Sequence, residues 1–226
     1  MIAVISDTHG NFPALQSVIA EIKKYDCEFI ISLGDVAGYY CFINECIELL
    51  RDEGVVNILG NHDFYLTKNV PCPRSNSANI LLEHQRQIIS AENMNWLGQS
   101  VFALKRGEAS FVHGGWDDPL DEYVVSPTKN YFAGRGAHYY FSGHTHIQAL
   151  TVFDHILHCN PGSVGQPRDG NPAAAFALFD GNSVHLKRVR YDIDKIADAM
   201  KRSGFDKYYY EGLYTGVKIG QGITSY

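Results

Sequence analysis

Five short apolar runs in this chain each end in polar residues able to bind a cation or move a proton. Ile2 to Ser6 leads into Asp7-Thr8-His9, Phe29 to Leu33 into Gly34-Asp35, and Val55 to Leu59 into Gly60-Asn61-His62-Asp63. Ser110 to Val112 leads into His113-Gly114-Gly115, and Tyr139 to Ser142 into Gly143-His144-Thr145-His146. Imidazole nitrogen combined with carboxylate and amide oxygen suits first-row cations such as Mn²⁺, Fe²⁺/³⁺, Zn²⁺, Co²⁺ or Ni²⁺, with manganese placed first, whereas a structural zinc site would ask for thiolate. Two Asp, one Asn and four His, with His62 as a further imidazole, are too many donors for one ion. Two cations sharing one carboxylate would use them, the arrangement that clamps both the entering and leaving oxygens of a phosphoryl group.

The elements that must position these residues follow from the spacing. Apolar runs alternate with helix-like stretches at Pro13 to Tyr25 and Ile43 to Arg51, a β-α-β-α-β rhythm that implies parallel strands joined by right-handed crossovers. In such a sheet the ligand crevice lies beyond the carboxyl ends of the strands, so the five endings would converge. Asn11 is placed to cap the first helix and Pro13 to begin it, with Leu15, Val18, Ile19 and Ile22 at helical spacing. Residues 69–98 read as an inserted helical segment. Further apolar runs at Leu150 to Phe153, Ile156 to Cys159, Ala173 to Phe179 and Ser183 to Val189 predict hairpins in a second, more antiparallel sheet, with Asp180-Gly181-Asn182 as one turn. A last helix is expected from Ile193 to Arg202, with Asp192-Ile-Asp194 as its cap. The domain is drawn over residues 1–204, leaving a tail, 205–226, whose Tyr208, Tyr209, Tyr210, Tyr214 and Tyr226 are assigned to packing or to contact with a second copy.

Composition narrows the class. The 226 residues are 45% hydrophobic, and 19 Lys and Arg against 25 Asp and Glu give a net charge of −6, which supplies no field for a duplex nucleic acid or an anionic membrane. The longest apolar stretch, Ala173 to Phe179, is far too short to cross a bilayer, and Met1-Ile-Ala-Val-Ile-Ser6 lacks a basic leader. Five cysteines without C-x-x-C spacing argue for a reducing cytoplasm. Other phosphatase machinery is missing from the sequence: no cysteine has Arg six positions on, and there is no G-x-x-x-x-G-K-[ST] loop. Ser163, in Gly162-Ser-Val-Gly165, is turn chemistry rather than a nucleophile, and His84, His138, His155, His158 and His185 read as surface or core residues.

Taken together, Asp7-x-His9, Gly34-Asp35, Gly60-Asn61-His62-Asp63, His113 and Gly143-His144-x-His146 resemble the calcineurin-like metallophosphoesterase family over residues 1–190. Gly34-Asp35-Val-Ala-Gly38-Tyr39, followed by Asn44-Glu45, and the stretch Asn160 to Asp169 further resemble its small prokaryotic phosphodiesterase-like branch. The resemblance implies an α/β class, a four-layer α/β/β/α sandwich of two packed mixed sheets. It implies one metal on Asp7, His9, Asp35 and His146, and a second on Asp35, Asn61, His113 and His144, with Asp35 bridging. It also implies that His62 meets the phosphate and protonates the leaving oxygen while a metal-bridging hydroxide attacks in line. The expected activity is hydrolysis of phosphodiesters or small phosphomonoesters, nucleotides included. Protein phosphatases of the family continue the second motif with Asp-Arg, where this chain has Gly38-Tyr39, so a phosphoprotein substrate ranks lower. A non-catalytic scaffold, as a retromer subunit of the same fold resembles, would predict lost ligands. Two substrate contacts are candidates. Arg168 offers planar donors to a phosphate or forms a solvent salt bridge; Tyr39, in the aromatic loop to Phe42, stacks on a base or packs.

Overall fold

The computed structural model describes residues 1–221, and in it each apolar run of the first sixty residues serves two interfaces at once. In β1 (Ile2–Ile5), Ala3 and Ile5 face a helical layer while Val4 faces a second sheet; in β2 (Phe29–Ser32), Ile30 and Ile31 divide the same way. Strands buried on both faces must be apolar at consecutive positions, which is why no polar alternation marks them. β1, β2 and β3 (Val56–Asn57) are parallel neighbours. The crossovers are α1 (Phe12–Ile22) and α2 (Ile43–Asp52). Asn11 caps α1 by accepting from the Ala14 amide at 3.3 Å. The third run keeps only Val56–Asn57 as strand, because α3 (Asn61–Thr67) starts inside the motif that follows it.

Residues 69–98 hold α4 (Asn76–Ile88) and α5 (Ala91–Gly98), whose Leu81, Leu82 and Leu97 join the core under the first sheet. The second sheet comprises β4 (Ala103–Arg106), β5 (Ala109–Val112), β6 (Tyr139–Phe141), β7 (Ala149–Phe153) and β8 (Ile156–Asn160) in the order β4-β5-β6-β8-β7. Strand β4 was not expected, since Ala103-Leu-Lys-Arg is largely exposed and carries no apolar run.

One expectation is corrected. The hairpin of β9 (Ala174–Phe179) and β10 (Val184–Val189) does not belong to the second sheet; β9 pairs antiparallel with β1 and completes a first sheet ordered β10-β9-β1-β2-β3. Each sheet therefore has two parallel and two antiparallel pairings. The reason is burial: all six residues of β9 are buried, which suits its interior position between β10 and β1 with cover on both faces. The turn itself is as read, with Asp180 accepting from the Asn182 and Ser183 amides at 2.8 and 2.7 Å.

The sheets meet through Val4, Ile31, Leu33 and Ile58 on one side and Phe111, Phe141 and Cys159 on the other, with the Phe111 and Phe141 rings stacked 4.8 Å apart. The first sheet's outer face is covered by helices, including α6 (Ile193–Arg202), capped by Asp192. The second sheet's outer face carries a slighter layer: Trp116, Tyr131 and Phe132 of residues 116–132 pack on Tyr140 and Ile156. The Tyr/Gly-rich tail packs on the helical side through Leu213, Tyr209 and Tyr210, and Tyr214 donates to Asp194 at 2.6 Å. Its Gly222 and Tyr226 lie outside the described residues.

His158 on β8 is 1% exposed, bonded through Nε2 to Ser142 Oγ at 2.9 Å, with Nδ1 unpaired. Burial pushes it down to about 4. A depressed histidine contributes stability that is complete above the unfolded value near 6.5 and is lost as the pH falls toward the folded value. His158→Gln, which keeps a partner for Ser142, should therefore remove about 2 kcal/mol of the stability the protein loses between pH 7 and pH 5, as read from urea midpoints of both proteins at both pH values.

Candidate active site

The parallel strands β1, β2, β5 and β6 all end at one edge of the two sheets, and the loops that leave them are laced together by backbone bonds. Asp7 N donates to Gly34 O at 2.9 Å, His9 N to Asp35 O at 2.9 Å, Val164 N to Ser6 O at 2.9 Å and Gly143 N to His113 O at 2.8 Å. To aim side chains back at a common point the backbone takes an unfavourable turn. Among the described residues seven non-glycines have positive φ, and five of them are Asp7, His9, Asp35, His144 and His146. Each such residue costs on the order of 1–3 kcal/mol unless its surroundings impose it, and that strain concentrates where side chains have work to do.

The donors gather in two buried groups, Asp7 with His9 and His146, and Asp35 with His113 and His144. Asn61 joins the second, its Oδ1 3.0 Å from His113 Nε2. Three imidazoles are oriented from behind by carbonyls: His9 Nδ1 by Ala37 O at 2.7 Å, His113 Nδ1 by Leu33 O at 2.9 Å and His146 Nδ1 by Gln166 O at 2.7 Å. A proton held on each Nδ1 leaves the Nε2 lone pair directed inward, the outer-shell device of metal-binding histidines. His9 and His146 then bring their Nε2 atoms to 3.0 Å of each other, with Asp7 Oδ1 3.3 Å from His146. Both Asp7 Oδ1 and Asp35 Oδ2 are buried without a hydrogen-bond partner. Unpaired carboxylate oxygens beside converging lone pairs are costly unless a cation lies among them, so the residues fit divalent metals in both groups. Asp35 Oδ2 lies between the groups, 3.7 Å from His9 Nε2 and 3.5 Å from His113 Nε2.

A family model for the calcineurin-like phosphoesterase superfamily domain matches residues 1–183. The chain belongs to that superfamily. It is 30% identical to an uncharacterized protein of Methanocaldococcus jannaschii, over 96% of this chain and 98% of that one. It is also similar to the crystal structure of a metallophosphoesterase from Sphaerobacter thermophilus, at 28% identity and a TM-score of 0.81, covering 96% and 98% of the two chains. A hypothetical protein from Pyrococcus horikoshii shares the fold, with a TM-score of 0.86 at 22% identity over 96% of this chain and 100% of that one. The calcineurin-like fold implies divalent metals, in agreement with the two donor groups.

The charge states of this phosphoesterase site are those a metal needs. Burial would raise Asp7 and Asp35, yet the neighbouring histidines outweigh it and hold both below the usual carboxylate range. Burial lowers His9 and His146, and takes His144 to about 2. His113 is the exception: burial opposes its proton, but Asp35, Asp7 and Asp63 hold it at about 9.

Several contributors were not legible in the sequence. Asp63, beside His62 in the chain, does not support that ring; its carboxylate accepts from the Asp35, Ala37 and Gly60 amides at 2.9, 2.8 and 3.1 Å and so fixes the Asp35 loop. Among the described residues His62 has no carboxylate partner for its ring. Its amide donates to Asp35 Oδ1 at 2.8 Å, and its ring packs 5.0 Å from His9 and 4.9 Å from Tyr39. Gln85, buried on α4, accepts from Gly38 N at 2.8 Å and donates to Tyr40 O at 2.6 Å; nothing in its local sequence marked it. Tyr40 and Cys41 are packing residues, whereas Tyr39 reaches a cavity of about 300 Å³ above the donors. Arg168 lines the same cavity and has no carboxylate partner among the described residues, so the salt-bridge reading fails; Nε and Nη2 donate to Gln166 Oε1 at 3.0 and 2.6 Å. Ser163 is turn chemistry, donating to Asp7 O and accepting from Gln166 N, both at 2.7 Å.

Gly38 tests the first donor group. It sits at φ +133, and a Cβ there would lie 2.2 Å from His9 Nδ1. Gly38→Ala should displace His9 from Ala37 and retain less divalent metal than the parent protein, measured by atomic emission after dialysis, with a smaller metal-dependent change in Tm. Unchanged metal content in the variant would show that His9 is not a ligand.

Proposed function

We propose that this chain is a dinuclear-metal phosphoesterase that hydrolyses phosphodiesters or small phosphomonoesters, nucleotides among them. The observation that carries the reading is Asp35: one buried oxygen, without a hydrogen-bond partner, between the His9 and His113 nitrogens of two separate donor groups. Asp7, His9, Asp35 and His146 would hold one cation, and Asp35, Asn61, His113 and His144 the other. When bound, the two cations supply an acidified water as nucleophile and draw charge from the phosphoryl oxygens. Borderline donors suit Mn, Fe, Zn, Ni or Co.

The chain's own residues complete the reaction. His62 lines the cavity, with Nδ1 buried without a partner, so Nε2 is the nitrogen left to meet a substrate. Burial pushes His62 down to about 4, against the pull of Asp35. The ring is therefore neutral in the free site, and the anionic phosphate raises its proton affinity on arrival. In an in-line displacement the water, having lost a proton to solvent, bonds through oxygen to phosphorus as the ester P–O bond breaks, and His62, protonated from solvent when the phosphate enters, gives that proton to the departing oxygen. Arg168 would steady a non-bridging oxygen through donors that Gln166 does not use. The scaffold alternative predicts missing ligands or a replaced His62, and every one of these residues is present.

The test is hydrolysis of bis-p-nitrophenyl phosphate and p-nitrophenyl phosphate by metal-stripped protein, with Mn²⁺, Ni²⁺, Co²⁺, Zn²⁺ or Mg²⁺ restored singly. Cleavage returning with a transition metal is expected; silence in folded, metal-loaded protein would overturn the reading. His62→Ala should keep its metal and lose ~10²- to 10⁴-fold in kcat on an unactivated diester. Asp35→Asn should lose both metal and turnover.

A further inference from the structure

The walls of the cavity do not come from the strand ends that build its floor. Arg168 stands on the segment between β8 and β9, Arg74 on the segment before α4, and Tyr208, Lys218 and Ile219 on the C-terminal tail. In a chain of net charge −6, this cavity is lined by three cations, and among the described residues its one lining carboxylate is Asp35 at the floor.

The three cations are not equivalent. Arg74 is neutralised by Asp121, which also accepts from Tyr65 Oη at 3.1 Å. Arg168 keeps its charge: the carboxylate next to it in sequence, Asp169, is engaged by Arg188 instead. Its guanidinium lies 5.4 Å from the centre of the Tyr39 ring, beside His62. Lys218 likewise has no carboxylate partner among the described residues. The tail that carries it is tied to the Arg168 segment, because Gly170 N donates to Gly216 O at 3.0 Å and a Cβ on Gly216 would strike the Asn171 backbone at 2.6 Å. Lys218 is therefore held over the site by a close-packed joint.

Resting on the phosphoesterase reading, we propose that the cavity takes a phosphate ester bearing a second phosphate group, with Arg168 serving the scissile phosphate and Lys218 the second. A single phosphate held by two cations and Arg168 is already compensated, so a further unpaired ammonium at the mouth matches a further anion. The cavity volume suits a ligand of mononucleotide size.

Adenosine 3′,5′-bisphosphate and adenosine 5′-monophosphate share a base and differ by the second phosphate, so they isolate it. Titrated calorimetrically into metal-loaded protein carrying His62→Ala to stop turnover, the bisphosphate should bind about tenfold more tightly, and adding Lys218→Ala should bring the two dissociation constants together. Lys218→Arg should retain the preference, which a merely structural role for the tail would not require. Equal dissociation constants in the His62→Ala protein, or a preference that survives Lys218→Ala, would overturn the proposal. Failure of the underlying reading is separate: it would show as no ester cleaved by the metal-loaded protein, whatever the binding titration reports.

Discussion

The structure depends on keeping the Asp35 carboxylate ionised, buried and only half satisfied. One oxygen takes the His62 amide, and the other faces two groups of nitrogen donors with no hydrogen bond of its own. Desolvating a carboxylate costs several kcal/mol, so the position can exist only if the surrounding chain over-determines it. Asp63 does much of this by gathering three amides of the flanking loops, and Gln85 holds the next stretch from the opposite side. Gly60 leaves no alternative spacing, since a Cβ there would sit 2.1 Å from Asp35 Oδ1. His62 is thereby fixed relative to Asp35 through its backbone, and its ring needs only the packing of His9 and Tyr39 to be aimed.

Two sheets are needed because one alone does not deliver both donor groups. β1 and β2 bring Asp7, His9 and Asp35 from the first sheet, and β5 and β6 bring His113, His144 and His146 from the second. The registry between the sheets is set by Val4, Ile31 and Leu33 against Phe111, Phe141 and Cys159, immediately behind the donors. A close-packed interior transmits small displacements, so the donor spacing is tied to the volume of these side chains. Cross-sheet bonds such as His144 N to Asp7 Oδ2, at 3.1 Å, then lock the edge directly.

What the sequence made legible follows from the same physics. The strands on both sides of the sandwich appear as apolar runs because both faces are buried, and the donors are visible because each follows such a run. The destination of the β9–β10 hairpin was not legible, since hairpin spacing specifies local pairing and says nothing about which sheet receives it. Strand β4 escaped because an exposed edge strand needs no apolar residues. Asp63 and Gln85 escaped for another reason: they act by hydrogen bonds to backbone groups remote in sequence, and such bonds leave no pattern in residue type. Gln85 and Gly38, for instance, are 47 positions apart.

Floor and walls of the site therefore answer to different constraints. The floor is made by residues whose backbone is strained and whose oxygens and nitrogens are fixed from behind, so substitution there disturbs several strands at once. The walls are made by side chains on a pre-helical segment, an interstrand segment and a terminal tail, whose anchoring points lie outside the inter-sheet core. Arg168 shows the coupling between them. Gln166 orients it through Oε1 while the backbone carbonyl of the same residue orients His146, so one residue sets both an imidazole of the buried donor group and a guanidinium of the cavity wall. A change in Gln166 would be felt by both, whereas a change in Lys218 would reach only the mouth.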